Sequence, residues 1–414
     1  MLILGLNAFH PDSSACVLKD GKLVAAVAEE RLGPRHKHVA GFPGRAIAEV
    51  LRMAGATIRD MDYLAIGNDS NANVPAKVRH VLKSPVKSAR GVLTHFQRRG
   101  KMHTVQQMVA EACGVTETDC RFKVVRVEHH LAHLASSFFA SDFDEAAGFS
   151  YDGSGDFTSA MFARCQGNGI EILDRVHVPH SLGFFYTALC QFIGFSKFGE
   201  EYKVMGLAAY GQPVYLDLMR QLISAGGETS FSASDGEKVA AGRMRCAPGQ
   251  FRLNAKFFRP LGKNLEECVD ATGEIVLPPL YSDELAWHLG APRVRGEALT
   301  QRENDIACSV QARFEEVVLA GLRALHQRVV TDKLVTAGGC ALNGVCNARI
   351  LRETPFKKSY IQCAASDDGT AIGAALYSGR SAGAFPFDGP GQSVSSENFG
   401  NWRTTTRISA PSRS

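Results

Sequence analysis

Residues 2–31 read LILGLNAFHPDSSACVLKDGKLVAAVAEER, three short apolar runs separated by polar turns. Short apolar runs bounded by turn residues are typical of β-strands, and the pair Asp20-Gly21 is a strong signal for a two-residue hairpin loop. The stretch therefore predicts three consecutive antiparallel strands. Their first turn is rich in small polar residues and contains His10.

The same pattern returns at residues 146–176, AAGFSYDGSGDFTSAMFARCQGNGIEILDRV. An apolar strand is predicted to end in the polar run at 152–155, a second strand follows, and QGNG turns into a third. Two halves that each open with such a hairpin indicate an internal duplication. The alternative, two unrelated hairpins, stays open on this feature alone.

A duplicated α/β chain of this kind suggests the actin-like ATPase (ASKHA) fold, two related RNase H-like lobes around a nucleotide and metal cleft. In that fold the two first turns face each other and hold phosphates through backbone N–H groups. Gly153, Ser154 and Gly155 are therefore predicted nucleotide-binding residues. The predicted first lobe is 1–143 and the second lobe is 144–380.

The composition is that of a globular protein, with 45% hydrophobic and 21% charged residues among 414. A net charge of +4 is too small to indicate a nucleic-acid partner. The eleven cysteines show no CxxC pairs, so reduced thiols and a cytoplasmic location are expected. The apolar runs are too short for a membrane span, and the N-terminus is predicted to be a strand rather than a signal peptide.

Three segments depart from the two-lobe pattern. Near 70–110, eight Lys or Arg and no acid occur, which predicts a solvated helical insertion, or alternatively an anion or partner surface at 77–101. The polar stretch near 225–300 is predicted to be an excursion of the second lobe. The polar tail 381–414 is predicted to be disordered.

Helical periodicity predicts further elements. Residues 42–55 form an amphipathic pattern with Gly55 as the C-cap, and residues 306–330 predict a long helix. A predicted strand then runs into Gly338 and Gly339, where the backbone can approach a nucleotide closely.

Three histidines follow one another at residues 129, 130 and 133, in VEHHLAHLASSFFAS. Because residues four apart share a helix face, His129 and His133 can bind one metal ion. His130 lies about 100° around the helix and faces another part of the site. A two-histidine site also needs oxygen ligands. The candidates are Asp152 and the pair Asp367-Asp368, for which helix capping is the alternative.

Two further residues are candidates for the chemistry. His10 in the first turn is placed to act as a general base if that turn faces the phosphates, and a surface histidine is the alternative. Lys203 could bind a phosphate or pair with Glu200 or Glu201. Iron, manganese or zinc would suit the predicted ligands, and the residues do not choose among them.

Several motifs jointly resemble the NodU/CmcH-type O-carbamoyltransferases, which carbamoylate antibiotics and Nod factors. The motifs are LGLNAFHPDSSACVL, EERLGPRHKHVAGFPGRAI, EHHLAHLASSFFAS, SYDGSGDFTSA, GEEYKVMGLAAYG, ALTQREND, TAGGCALNGVCNARI and SDDGTAIGAALY. They occur in family order from residue 3 to about residue 377. The main domain of that family is similar to the tRNA threonylcarbamoyl-transferring protein, which also has the actin-like ATPase fold.

The resemblance implies roles for individual residues. It implies that one divalent metal ion is bound by His129, His133, Asp152 and Asp367. Iron is the first choice for this ion, and manganese or zinc are the alternatives. It implies catalytic roles for His10, near the acceptor hydroxyl, and His130. It implies nucleotide contacts, with Mg²⁺ as a further ion, at Lys203, Gly206, Gly338, Gly339 and Asn343. One departure is Asp156, where the family more often has glutamate.

The reaction implied has two stages. Carbamoyl phosphate and ATP give carbamoyladenylate, and the carbamoyl group then moves to a hydroxyl or amine of a small natural product. Relatives usually continue with a YrdC-like domain that makes the adenylate. Residues 381–414 are therefore predicted to be a remnant of the linker to that domain, and a separate YrdC-like protein is a candidate partner. A homo-oligomer is expected. Two alternatives stay open: an ATP-using ligase or kinase of the same fold, and a noncatalytic nucleotide-binding subunit.

Overall fold

The computed structural model describes residues 1–33, 37–83, 105–227, 247–260, 268, 275–381 and 383. The strands are β1 (Leu2–Asn7), β2 (Ser14–Lys19), β3 (Lys22–Ala28), β4 (Tyr63–Ile66), β5 (Lys123–Arg126), β6 (Glu145–Gly155), β7 (Thr158–Gln166), β8 (Gly169–His177), β9 (Ile223–Ala225), β10 (Phe251–Leu253), β11 (Lys333–Ala337) and β12 (Lys358–Ile361). The helices are α1 (Gly44–Ala54), α2 (Val74–Lys83), α3 (Val105–Cys113), α4 (His129–Phe138), α5 (Leu182–Phe192), α6 (Glu201–Leu207), α7 (Leu216–Leu222), α8 (Asp283–Leu289), α9 (Gln301–Arg328), α10 (Gly344–Glu353) and α11 (Thr370–Ser381).

Two five-stranded sheets have the same strand order and the same pattern of directions. The first is ordered β3-β2-β1-β4-β5 and the second β8-β7-β6-β11-β12. In the first sheet β1, β2 and β3 pair antiparallel, and β4 and β5 run parallel to β1. In the second sheet β6, β7 and β8 pair antiparallel, and β11 and β12 run parallel to β6. This repetition confirms the predicted duplication, and the protein has the α/β actin-like ATPase fold.

The hairpin loop at Asp20-Gly21 is confirmed. Lys19 pairs with Lys22, and the two loop residues have φ of 49° and 81°. Positive φ at both central residues is what a type I′ turn requires, and it matches the twist of the flanking strands. The prediction of helix α1 with Gly55 as its left-handed C-cap is also confirmed.

The matching turn of the second lobe lies later than the sequence suggested. Strand β6 continues through the predicted polar turn to Gly155, which pairs with Thr158. The turn is therefore Asp156-Phe157, and both residues have positive φ, 49° and 72°. The register shifts between Tyr151 and Gly155, so Asp152, Gly153 and Ser154 form an irregular part of the strand rather than the turn itself.

Helices α4 and α11 pack against each other between the two sheets. Helix α11 contacts β1, β2 and β4, whereas α4 contacts β6, β7 and β11. The crossing is close, because a Cβ on Gly373 would lie 1.8 Å from the backbone oxygen of Ala132. Helix α11 also lies close to β1, where a Cβ on Gly5 would lie 2.2 Å from the backbone oxygen of Ala371. The three-histidine helix thus lies at the centre of the molecule.

Three buried hydrophobic clusters surround this central pair. One fills the second lobe around α5 and α9, one lies around α4 and α11, and one lies between the first sheet and helices α1 and α3. In the second lobe the rings of Phe149, Tyr151 and Phe162 stack at centroid distances of 4.4 and 4.6 Å. None of the helices described here has the length and apolar character needed to cross a membrane.

Some sequence predictions fall on residues outside the described ranges. They are most of the basic segment 77–101, parts of the excursion near 225–300, and the tail 381–414 except residues 381 and 383. The domain boundaries at 143 and 380 stay predictions.

Candidate active site

Helix α4 carries the three histidines into the interior. It is a ten-residue helix, and all ten residues are buried. Small residues such as Ala132 allow the close approach of Gly373, and the i, i+4 spacing turns His129 and His133 to one face. Two histidine side chains are thereby placed side by side away from water.

Four side chains converge at this face: His129, His133, Asp152 and Asp367. One ligand atom from each lies within 4.8 Å of all the others. The Nε2 atoms of the two histidines are 3.0 Å apart. Oδ1 of Asp367 lies 3.2 Å from Nε2 of His129, and Oδ2 of Asp152 lies 3.2 Å from Nε2 of His133.

The donor set fits a divalent transition metal. Bonds of roughly 2.0–2.2 Å around such an ion separate its ligand atoms by about 3–4 Å, which is the spacing seen between these atoms. Oδ1 of Asp367 is buried and has no hydrogen-bond partner among the described residues. An orphaned carboxylate oxygen beside two imidazole nitrogens is what a bound cation would satisfy.

The electrostatics of the four groups are strongly coupled. Burial alone would lower the pKa of His129, but the carboxylates of Asp367 and Asp152 raise it to about 10. Burial and Asp367 oppose ionisation of Asp152, yet the nearby His129 and His133 lower its pKa to about 2. The carboxylates are therefore ionised, and they attract positive charge, whether protons or a metal ion.

Asp152 reaches the cluster because glycines allow the backbone to come close. Gly338 has φ of 101°, and a Cβ there would lie 2.2 Å from the backbone oxygen of Tyr151. A Cβ on Gly339 would lie 2.9 Å from Oδ1 of Asp152. The close approach at these two glycines is made to the strand that carries a candidate ligand, and the predicted approach to a nucleotide stays a prediction.

His10 lies against the cluster rather than at the surface. Its Nδ1 is 2.6 Å from Oδ2 of Asp367, and its ring stacks on that of His129 at a centroid distance of 4.5 Å. The histidine is buried. The surface alternative considered from the sequence is therefore wrong, and the first turn does face the second lobe.

His130 occupies a different environment. Its Nδ1 lies 2.9 Å from the hydroxyl of Ser150, and its Nε2 lies 3.1 Å from the backbone oxygen of Thr158. Burial lowers the pKa of His130, and the neighbouring His129 and His133 lower it further. Both ring nitrogens are engaged behind the cluster, so its catalytic role stays a prediction that this geometry does not favour.

The residues predicted to bind nucleotide fall into two groups. Gly153, Ser154 and Gly155 lie on β6 beside Asp152, and a Cβ on Gly155 would lie 2.1 Å from Cδ2 of His129. Gly338 and Gly339 lie against Tyr151 and Asp152, which directly precede these three residues on β6. The glycine-rich backbone and the four candidate ligands thus lie together.

The second group has local protein partners. Asn343 caps helix α10 by accepting the N–H of Cys346 and exchanges hydrogen bonds with Gln311. Lys203 donates to Glu200 at 2.6 Å, as one of the sequence alternatives anticipated. A Cβ on Gly206 would meet nothing within 4 Å. Their nucleotide contacts stay predictions.

A neighbouring polar group was missed by the sequence reasoning. Ligand atoms of Asp12, Glu30 and His38 also lie within 4.8 Å of one another, and His38 Nδ1 is 2.7 Å from Oδ1 of Asp12. Ser366 of the second lobe donates to Asp12 at 2.8 Å. Burial and the charges of Asp12 and Asp367 raise the pKa of Asp368 to about 7. The available signals were the position of Asp12 two residues after His10 and the presence of Glu30 and His38 in one quoted family motif.

The chain matches the family described as Carbamoyltransferase N-terminus over residues 2–376. An uncharacterised protein of Synechocystis is 36% identical over 380 residues, which are 90% of this chain and 56% of that protein. Nodulation protein NolNO of Sinorhizobium fredii is 30% identical over 374 residues, which are 89% of this chain and 46% of that protein. The chain spans about half the length of the curated relatives it matches.

Two solved structures are similar at low identity. HypF of T. kodakarensis has a TM-score of 0.39 at 15% identity, covering 93% of this chain and 48% of that protein. Component A of (R)-2-hydroxyglutaryl-CoA dehydratase from Acidaminococcus fermentans has a TM-score of 0.43 at 13% identity, covering 92% and 99%. The family match, however, extends over nearly the whole described chain. The protein therefore belongs to the carbamoyltransferase N-terminus family, as its sequence motifs suggested.

Proposed function

We propose that this protein transfers a carbamoyl group from carbamoyladenylate to a hydroxyl or amine of a small natural product. The observation that carries the proposal is the convergence of His10, from the first lobe, with the four candidate ligands at the central helix. Family membership over residues 2–376 supports the same reaction class. Carbamoyladenylate, made from ATP and carbamoyl phosphate, is the proposed donor.

His10 is the proposed general base. Its Nδ1 lies 2.6 Å from Oδ2 of Asp367. In the proposal Nδ1 carries the proton and donates it to this carboxylate, which leaves the lone pair on Nε2. A carboxylate that fixes the tautomer of a histidine in this way leaves the opposite nitrogen free to accept a proton. In the proposed step Nε2 takes the proton of the acceptor hydroxyl, while the oxygen of that hydroxyl bonds to the carbamoyl carbon. The bond from that carbon to the phosphate oxygen breaks, and AMP leaves.

A divalent ion held by His129, His133, Asp152 and Asp367 would act as a Lewis acid on an oxygen of the donor. Iron, manganese and zinc all suit two imidazoles and two carboxylates. The chain's own contribution is to hold the four ligands together, three of them buried and Asp152 partly buried, where charge interactions are stronger than in water. The backbone N–H groups near Gly339 would bind phosphate oxygens of the nucleotide.

The test is product mass. The purified chain is incubated with ATP, carbamoyl phosphate and a panel of aminoglycoside, nucleoside and polyketide alcohols, with and without a separately expressed YrdC-like protein. A product heavier by one carbamoyl group supports the proposal, and its dependence on the second protein shows where the adenylate is made. A His10→Ala variant serves as the matched control, which should form adenylate in the paired reaction but little product.

Other products would contradict the proposal. A phosphorylated or adenylated acceptor without carbamoylation would instead show a kinase or ligase that uses the same site. ATP binding with no product on any acceptor, under both conditions, would favour a noncatalytic subunit.

A further inference from the structure

Asp156, the residue directly after β6, holds the start of the histidine helix. Its Oδ2 accepts the backbone N–H of His129 at 2.9 Å and that of Asp69 at 2.8 Å. One carboxylate oxygen thus joins the first candidate metal ligand to the loop that follows β4. The side chain is buried, so water does not readily replace it as the acceptor.

The residue at the formal N-cap position does not perform this task. Glu128 makes no side-chain cap to helix α4. Its carboxylate accepts from Arg175 at 2.8 and 3.0 Å and from Asn73 at 2.8 Å. The N–H of His129 therefore depends on an acceptor 27 positions along the chain, in the turn between β6 and β7.

The turn that presents Asp156 is strained. Asp156 and Phe157 have φ of 49° and 72°. The second position of such a turn is ordinarily glycine, because a residue with a Cβ is disfavoured at positive φ. The Phe157 ring lies 5.4 Å from that of His80 and 5.9 Å from that of His177. A strained conformation held by packing is a reason to look for function at the turn.

His129 lacks the usual means of orientation. A metal-binding histidine normally donates its second ring nitrogen to a carboxylate or carbonyl. Here Nδ1 of His129 and Nδ1 of His133 have no partner among the described residues. The ring of His129 is instead fixed by contact with Gly155 and by stacking on His10, and its backbone by Asp156.

We infer that Asp156 is a positioning residue for the metal centre, an inference that rests on the proposed function. Asp152 lies near the end of β6, which Asp156 directly follows, and Asp156 accepts a hydrogen bond from the backbone N–H of His129. The carboxylate therefore sets the separation between a ligand on β6 and a ligand on α4. Asp156 would act through His129, since it is not itself one of the four candidate ligands.

The experiment compares Asp156→Ala and Asp156→Asn with Glu128→Gln as the matched control. Two quantities are measured on the full chain: amide hydrogen exchange without metal, and the Kd for Mn²⁺ by competition with a chromophoric chelator. In Asp156→Ala the amides of His129 and Asp69 should exchange at least about tenfold faster, while that of Leu134 keeps its rate. The Kd for Mn²⁺ should rise about 10- to 100-fold, as for lost outer-shell partners elsewhere.

The control and the conservative variant sharpen the result. Glu128→Gln removes a charge at the same helix end but leaves the acceptor of His129, so its Kd should stay within about threefold of wild type even if its stability falls. Asp156→Asn keeps one neutral acceptor oxygen and should give an intermediate Kd, and it carries the test if the alanine variant does not fold.

Two outcomes would overturn the inference in distinguishable ways. If Asp156→Ala speeds exchange of the His129 and Asp69 amides but keeps the Kd for Mn²⁺ within about twofold of wild type, the contact is structural only and the inference is wrong. If the wild-type chain binds neither Mn²⁺ nor Zn²⁺, the metal centre of the proposed function fails and the inference fails with it.

Discussion

The Nδ1 atom of His10 lies 2.6 Å from Oδ2 of Asp367, while the other oxygen of the same carboxylate lies 3.2 Å from Nε2 of His129. Asp367 therefore serves two groups at once. It orients the proposed base with one oxygen and completes the candidate metal site with the other. Variants at the two ends of this contact should behave differently.

Replacing His10 by alanine should separate catalysis from binding. The general base is lost, which lowers kcat by roughly 10²- to 10⁴-fold, while all four candidate ligands remain. The Kd for Mn²⁺ should stay within about threefold of wild type. Replacing Asp367 by asparagine should lower kcat and also raise the Kd for Mn²⁺ by at least about tenfold, because a charged ligand is removed.

Steady-state assays with excess carbamoyladenylate give kcat, and chelator competition on the same preparations gives the Kd for Mn²⁺. The prediction is contradicted if His10→Ala loses metal affinity as severely as Asp367→Asn. That result would place His10 among the ligands instead of beside them.

Gly155 should be intolerant of even one added carbon. Its Cβ would lie 2.1 Å from Cδ2 and 2.2 Å from Cγ of the His129 ring, so Gly155→Ala must displace a candidate ligand. We expect less than half of the wild-type metal content after dialysis, measured by mass spectrometry of the metal. Gly153→Ala is the matched control, because its Cβ would lie an ordinary 3.6 Å from Phe184 Cε1. Equal metal content in the two variants would contradict the prediction.

The crossing of α4 and α11 gives a prediction about stability. Gly373→Ala places a Cβ 1.8 Å from the backbone oxygen of Ala132, and overpacking of this kind costs about 1–3 kcal/mol of unfolding free energy. Gly206→Ala is also helical but points into open space, so it should add roughly 0.5–1 kcal/mol instead. Urea unfolding measures both. A neutral or stabilising Gly373→Ala would show that the two helices are not held as closely as described.

The fold was predictable because its signals are local. Hairpin turns, short apolar runs and the helical spacing of His129 and His133 depend on neighbours in the sequence, and the structure has the duplicated sheets and the shared histidine face they indicate. The position of the second turn was misjudged, since Asp152-Gly153 reads as a turn pair, whereas the chain bulges there and turns at Asp156-Phe157.

Contacts between the lobes could not be derived from pattern alone. The pairing of His10 with Asp367 joins residues 357 positions apart, and the cap of His129 comes from Asp156 rather than from the adjacent Glu128. The engagement of His130 by Ser150 and Thr158 likewise depends on the packing of α4 on the second sheet. Local periodicity fixes the face that a side chain occupies but not the group that meets it.

His180 predicts how stability depends on pH. Burial, together with the positive charges of Arg252 and His80, lowers the pKa of His180 from 6.5 to about 4. Its Nδ1 accepts the backbone N–H of Leu253 at 3.2 Å, a bond that only the neutral ring can make. The unfolded chain binds a proton below pH 6.5 whereas the folded chain does not. Stability from this group is therefore complete above pH 6.5 and is lost as the pH falls towards 4.

The measurement is urea unfolding at pH 7.5 and pH 5.0 for wild type and His180→Asn, whose amide oxygen can still accept from Leu253. Other groups titrate in this range, so the difference between the two proteins is the informative quantity. Wild type should lose about 2 kcal/mol more unfolding free energy than the variant between the two pH values, since one pKa unit corresponds to about 1.36 kcal/mol. Equal losses would mean that His180 is protonated in the folded protein at pH 5.0, and that the segment between β8 and α5 admits water to the ring.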